Sequence, residues 1–323
     1  MKGKKSMVIV SAVILFLAVV LVVYYFGAFY PKFNSLDKKQ EFMIPGLSEE
    51  FVPQGLDYVQ TNQQFLVSGY MSSGEPSRIY VIDKSSGKEQ KYVTVKVKGE
   101  DYKGHAGGVA VDGSFVWIVG DKQLVTLALG DIKNAKNGES VNALSVIETG
   151  NGCDFVETYG EYLFIGEFYK KGDYETPSAH HITHENGEQS HAVGYFYKIN
   201  PSETSGIDKK PTKALTLPDK AQGIAFYENK IIISSSWSIG DSKILVYDNP
   251  LTDNASKTIT HNNEDVPLYS LNSTLLVNKV KAPAMSEEIT VVGDRIFILF
   301  ESACKKYRIA NRTRTKQVIS IKI

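Results

Sequence analysis

Two groups of residues in this 323-residue chain have the types and spacing that chemistry uses. The first is the pair Glu287-Glu288, with Glu301 close behind and with Gln54, Asp154 and Gln222 at corresponding points of a recurring phrase. Gathered carboxylates and amide side chains suit a hard cation such as Ca²⁺, which takes about six to eight oxygens. A desolvated carboxyl also suits a general acid or base, so Glu287 and Glu288 are the candidate catalytic residues. A third reading gives Glu287 a structural task, accepting hydrogen bonds from free strand-end amides. Adjacent strand residues point to opposite faces, so only one of the two is expected to turn inward. The second group is the run His180, His181, His184 and His191 with Asp173, Glu175, Glu185 and Glu188. His180 and His184 are the candidate metal ligands, with Zn²⁺ the natural ion for clustered imidazole and carboxylate. The alternative is a solvated polar loop, because a short His-rich tract is a compositional signal only.

The elements that must position these groups form a repeat. Five openings read Gln54-Gly55-Leu56-Asp57-Tyr58, Gly107-Gly108-Val109-Ala110-Val111, Cys153-Asp154-Phe155-Val156, Gln222-Gly223-Ile224-Ala225-Phe226 and Glu287-Glu288-Ile289-Thr290-Val291. Each leads through a tight turn into a second apolar strand, and Gly108–Phe115, Asp154–Tyr162, Gly223–Ile231 and Glu288–Ile296 are 7, 8, 8 and 8 residues apart. A third strand follows in every unit and a fourth in four of them. The runs are short, β-branched and aromatic, and bounded by Gly, Asn, Asp and Pro, which is the strand signature. Self-similarity at this period means each unit buries its faces against the next. Four-stranded units repeated radially predict an all-β, five-bladed β-propeller. The fifth unit lacks its outer strand, and residues 41–45 are expected to supply it. A sixth, degenerate blade hidden in 170–215 is the alternative.

In such a blade the first strand lines the channel and alternate strands reverse. The start of strand one and the loop between strands two and three therefore share a face. Gln54, Gly107, Cys153, Gln222 and Glu287 should ring that mouth, beside His105, Asp154 and Glu288, with Trp237 and Glu301 contributed by loops. Convergent polar groups around a concavity make this the binding-site expectation. Gln54, His105, Asp154, Gln222, Trp237 and Glu301 are its ligand-binding candidates.

Residues 7–29 are almost wholly apolar, and about 20 such residues span a bilayer. Lys2, Lys4 and Lys5 precede them, which places residues 1–6 in the cytoplasm and the remainder outside. The segment is longer than a cleaved signal's apolar core and ends in Tyr and Phe, so an uncleaved single-pass anchor in the cell membrane is expected. Residues 30–40 read as a polar tether and 41–323 as the propeller. Basic and acidic residues balance at 36 each, and without the three N-terminal lysines 33 face 36. No basic stripe suggests nucleic acid, and partners are expected to be the membrane and a small molecule, peptide or envelope protein. The Lys-rich stretch 91–103 is expected as a solvated outer edge. Cys153 and Cys304 fall in non-adjacent blades and are expected as free thiols. No nucleophile elbow, phosphate loop, dinucleotide fingerprint or His-Glu-x-x-His occurs.

Blade one, from Pro53-Gln54-Gly55-Leu56-Asp57-Tyr58 through Ser68-Gly69-Tyr70-Met71-Ser72-Ser73-Gly74 to Ser77-Arg78-Ile79-Tyr80, resembles the first blade of the five-bladed glutaminyl cyclases. That resemblance implies an extracytoplasmic protein that cyclises N-terminal glutamine, with Gln54 lining the substrate pocket. Two departures stand against the activity. The family's glutamate at the opening of blade two is replaced by His105-Ala106-Gly107-Gly108, and its tryptophan after the second strand by Gly120-Asp121. Glu287 or Glu288 would have to supply the proton-transfer carboxyl from another blade. Separately, His105-Ala106-Gly107-Gly108, Ala284-Met285-Ser286-Glu287-Glu288 and Phe300 to Arg308 are similar to uncharacterised secreted bacterial propeller proteins, which implies fold and location alone.

Overall fold

The computed structural model describes residues 2–26, 29–150 and 152–322. Five antiparallel sheets stand in a ring, each led by an inner strand. These inner strands are Phe51–Val59, Gly108–Asp112, Phe155–Tyr159, Ala221–Tyr227 and Ser286–Val292, and each touches its two neighbours so that the ring closes. The second strands are Gln64–Met71, Phe115–Gly120, Tyr162–Gly166, Lys230–Ser235 and Arg295–Phe300. The turn from first to second strand is built the same way each time. One residue takes a left-handed backbone, namely Gln63 (φ 53°), Gly113 (54°), Gly160 (56°), Glu228 (52°) and Gly293 (65°). Glycine holds three of these five positions because a Cβ there costs about 1–2 kcal/mol.

Blade five takes its outer strand from the start of the chain. Lys38–Met43 pairs antiparallel with Gln317–Ile321, from Lys38↔Ile321 to Met43↔Gln317. Ring closure is thus as the sequence indicates, with the strand beginning three residues earlier than residue 41. The stretch 170–215 holds no sixth blade. It contains a two-stranded hairpin, Ile182–Thr183 with Gln189–Ser190, followed by the third and fourth strands of blade three.

Two insertions cross between blades. Ser140–Asn142, which precedes the fourth strand of blade two, pairs in parallel with the outer strand of blade one, Glu89–Val97. The Lys-rich edge expected to face solvent is therefore covered on this side, which removes an open row of amides and carbonyls. The hairpin Lys257–His261 and Glu264–Tyr269, inserted in blade four, pairs in parallel with the outer strand of blade three, Ile207–Leu217. Sequence reading missed both, because a parallel pairing between distant segments leaves no local signature.

Four apolar clusters fill the clefts between successive blades, with Trp117, Tyr80, Tyr195, Phe155 and Phe300 among the largest fully buried side chains. Strand pairs and clusters alike are drawn from residues 30–321, so this segment carries its own fold. Residues 30–40, read as a tether, are pinned to it. Tyr30 and Phe33 are buried against blades four and five, the Tyr30 hydroxyl donates to Asp241 at 2.7 Å, and Arg295 holds Asp37. Upstream, Lys2–Phe26 is a helix whose apolar side chains are exposed throughout 9–22. Side chains are described over only that part of it, and among the described residues no helix is long and apolar enough to cross a membrane.

Candidate functional site at the channel mouth

Three inner strands open on a β-bulge. Gln54 is the extra residue between Pro53↔Gly69 and Gly55↔Ser68, and Gln222 between Ala221↔Ser235 and Gly223↔Ser234. Glu287 and Glu288 fall in the shift between Ser286↔Phe300 and Ile289↔Ile298. A bulge re-aims a side chain that strict alternation would send elsewhere. Both glutamates are buried, 3% and 1% exposed, Glu288 against the inner strands and Glu287 against Glu301 of the loop above them.

Glu288 sits where the inner strands converge. Its Oε2 accepts the Leu56 amide of blade one at 2.8 Å and the Val109 amide of blade two at 2.9 Å, while Oε1 accepts the Val156 amide of blade three at 3.2 Å. The repeat explains the space it uses. At the equivalent point blades one, two and four carry Gly55, Gly108 and Gly223. A Cβ on Gly108 would lie 2.6 Å from Glu288 Oε1, and one on Gly223 would lie 2.7 Å from Glu288 Cα. Gly108 leaves room for the Glu288 carboxyl and Gly223 for its backbone, while Gly55 admits Ser68 and the backbone of blade two; the carboxyl so housed satisfies strand-end amides from three blades. This is the structural task weighed from the sequence, carried by Glu288 rather than Glu287. Burial drives its pKa well up, against the pull of the three amides.

One step of two residues along the strands lies a further layer that sequence reading did not single out. Asp57 accepts from the Val111 amide at 2.7 Å and from the Thr290 hydroxyl at 3.0 Å, and Glu157 accepts from the Thr158 amide at 2.7 Å. Burial pushes Asp57 up to about 7, and burial with the nearby Asp57 and Glu288 charges pushes Glu157 up as well. The signal was present: Asp57 and Thr290 stand two positions beyond Gly55 and Glu288, the next inward-facing sites of a period-two strand.

Toward the mouth, Gln54 Nε2 donates to Glu301 at 2.9 Å, and Glu287 shares a hydrogen bond with Glu301. Burial raises both carboxyls, Glu301 to about 7 and Glu287 well above its ordinary value. Two carboxyls in one dry place cannot both ionise cheaply. Gln54, Glu287 and Glu301 are thus brought together as the sequence suggested. His105 is exposed and stacks on Tyr70 at 4.8 Å between ring centroids, and its amide donates to Asp121. Gln222 is half-buried at its bulge.

A recess of about 360 Å³ opens on this face between blades two and three. Glu148, Asp154, Glu167 and Glu175 line it with Lys122, and Phe168 and Tyr174 form an aromatic wall. Trp237 of blade four packs behind that wall, 5.7 Å from Phe168 and 5.5 Å from Tyr174. Asp154 reaches solvent inside the recess and accepts the Phe168 amide at 2.7 Å. The protein packed around it raises its pKa to about 6.

The histidines have other tasks. His180 and His184 are each 5% exposed, so the solvated-loop reading fails for both. His180 Nδ1 meets both oxygens of buried Glu167 at 2.9 Å, and Glu167 also accepts the Gly152 and Val193 amides. His184 Nε2 bonds Ser190 Oγ at 2.8 Å. Glu167 therefore clasps the blade-three loop onto its sheet. His261, placed elsewhere by sequence, comes to this edge on the inserted hairpin and packs on Tyr195 at 4.3 Å. Among the described residues no group of three His, Cys, Asp or Glu side chains is arranged to hold a metal ion. Cys153 and Cys304 are buried free thiols, as expected.

No known protein family matches the sequence, and no curated protein matches it. Among solved structures, the glutaminyl cyclase of Myxococcus xanthus is 13% identical, with 88% of this chain covering 97% of that one at a TM-score of 0.46. A tail fibre of Staphylococcus aureus phage P68 is 10% identical, with 94% of this chain covering 55% of that one at 0.48. Hydrazine synthase of Kuenenia stuttgartiensis is 9% identical, with 76% covering 55% at 0.38. The chain thus spans about half the length of the last two. At these identities and scores the likenesses are distant, and they carry no argument about activity. The chain is a five-bladed β-propeller protein.

Proposed function

We propose that this protein is a single-pass, outward-facing propeller of the cell envelope that binds a small ligand bearing positive charge at its channel mouth. The recess between blades two and three supports this reading best. The carboxylates of Glu148, Asp154 and Glu175, with buried Glu167 behind them, face one lysine across about 360 Å³, and an aromatic wall stands beside them. An amine or quaternary ammonium group gains from both, by charge and by cation–π contact. The almost wholly apolar run 7–29 after Lys2, Lys4 and Lys5 supports the anchor.

The test is thermal unfolding of the full chain in detergent with a panel of small amines, a glutamine-terminated peptide, and Ca²⁺, Mg²⁺ or Zn²⁺ after chelation. A ligand at a hundred times its Kd stabilises the native state by about 2.7 kcal/mol. An amine that raises the midpoint, with the rise lost in Asp154→Asn, is the expected result. Indifference to every amine overturns the reading.

The buried carboxyls of Glu287 and Glu301, side by side at the mouth and both raised by desolvation, favour a second reading, acid–base catalysis there. Turnover of the glutamine peptide, abolished in Glu301→Gln with folding intact, would establish it. A Ca²⁺-dependent shift lost in Glu287→Gln would put an ion there instead, and a Zn²⁺-dependent shift lost with His180 and His184 would move the site to the blade-three loop.

A further inference from the structure

The loop joining the second and third strands of blade five is the most basic segment of the molecule. Between Cys304 and Gln317 it carries Lys305, Lys306, Arg308, Arg312, Arg314 and Lys316 with no acidic residue. Lys305 pairs with Glu50 and Arg312 with Asp241, while Lys306 lies over the Tyr70 and Tyr307 rings. Among the described residues Arg308, Arg314 and Lys316 are exposed and make no ion pair. These three line a groove of about 1010 Å³ with Lys88 and Glu89 from blade one, over a floor of Met43, Ile44, Leu47 and Ala303. Four cations against a single carboxylate, over an apolar floor, are the complement of an anionic headgroup attached to hydrocarbon.

A second, independent observation says where this groove stands. Tyr30 is held by Asp241 and stands over Lys281, and Asp241 also holds Arg312. Asp241 and Arg312 belong to loops between second and third strands, so the chain enters the propeller on its mouth face. Tyr30 is four steps along the chain from Phe26, the end of the apolar helix, and four steps reach at most about 14 Å. The anchor's outer end is therefore close to the same blade-five loop that carries the basic groove. Phe29, next to Tyr30, and Ile309, beside Arg308, are exposed at 68% and 81%.

We infer that the blade-five groove binds the headgroups of anionic phospholipid, and that the propeller rests mouth-face toward the bilayer. The bilayer's proximity rests on the anchor reading above, whereas the charge and shape of the groove do not. The consequence for the proposed function is that ligands reach the recess laterally, along the membrane surface.

The test uses flotation of the self-contained segment 30–323 with vesicles of phosphatidylcholine alone or doped with phosphatidylglycerol. Binding is expected only with the anionic lipid, and should fall as salt rises, because exposed charges are screened. Each cation near an anionic surface contributes about 1 kcal/mol, so Arg308→Gln, Arg314→Gln and Lys316→Gln together should weaken binding roughly a hundredfold. Inorganic phosphate should not compete at the same concentration of anion; full competition would reassign the groove to free phosphate. Equal flotation with both lipids, or an undiminished triple variant, overturns the inference, as does self-association of the segment through this groove. The variants are exposed, and an unchanged unfolding midpoint confirms that they fold. Alkaline extraction of the full chain from membranes reports on the anchor separately, so the two readings fail in distinguishable ways.

Discussion

Shortening Glu288 is the most searching test of the channel. In Glu288→Ala three buried amides, those of Leu56, Val109 and Val156, lose their acceptor. An orphaned buried donor costs about 1–3 kcal/mol, so the loss should be about 3–9 kcal/mol against a total stability of about 5–15 kcal/mol. Glu288→Gln keeps an oxygen for two of the amides and turns an NH₂ toward the third, for a loss of about 1–3 kcal/mol. At about 2–4 °C per kcal/mol for a domain of this order, its Tm should fall by roughly 3–10 °C. The decisive assay is a double-mutant cycle with Gly108→Ala, read by urea unfolding of the segment 30–323. The new Cβ would stand 2.6 Å from Glu288 Oε1, so Gly108→Ala should harm the parent chain more than it harms Glu288→Ala. Residues in contact couple by about 0.5–3 kcal/mol. A strictly additive cycle, or a Glu288→Ala chain as stable as the parent, would refute the view that Gly108 makes room for the Glu288 carboxyl.

The remaining predictions concern protons and thiols. Asp57 and Glu301 have folded pKa values raised from 3.8 and 4.5 to about 7, so the folded state binds more protons than the unfolded one between those values. Stability should therefore be fully present below about pH 4 and fall as pH rises from there through 7, by roughly 3–4 kcal/mol in all for either group titrating alone; unfolding midpoints that rise over this window would contradict it, and Asp57→Asn should flatten the slope. Burial lifts the Cys304 thiol to about 11 and Cys153 higher. Both should resist a thiol reagent in the native state and react fully in denaturant, and a mobility change on reduction would contradict the free-thiol assignment.

Much of this architecture is legible in the sequence because its causes are local. The turn signals, the strand runs and the repeated opening phrase each report on a few neighbouring residues, and together they give five blades and the closing strand. The mouth candidates Gln54, Gln222 and Glu287 are legible for the same reason, since the phrase marks the bulges. What escaped depends on partners distant in sequence. Glu288 needs amides from three other blades, Glu167 needs the loop it clasps, and His261 arrives on a hairpin that leaves its own blade. The basic loop 305–316 was visible as residues, yet only the docking of Tyr30 gives it a place.

The ring seals with Lys38–Met43 against Gln317–Ile321, which joins the part of the domain made first to the part made last. At about 5–20 residues per second, synthesis of the intervening chain takes roughly 15–60 seconds. Throughout that interval the first strand has no partner, and blade five cannot form. Lys38, Lys39 and Glu41 sit on that waiting edge, where charge discourages pairing with a stranger. Assembly of this domain is therefore a race in which the opening segment must stay single until Gln317–Ile321 emerges, and its charged side chains keep it so.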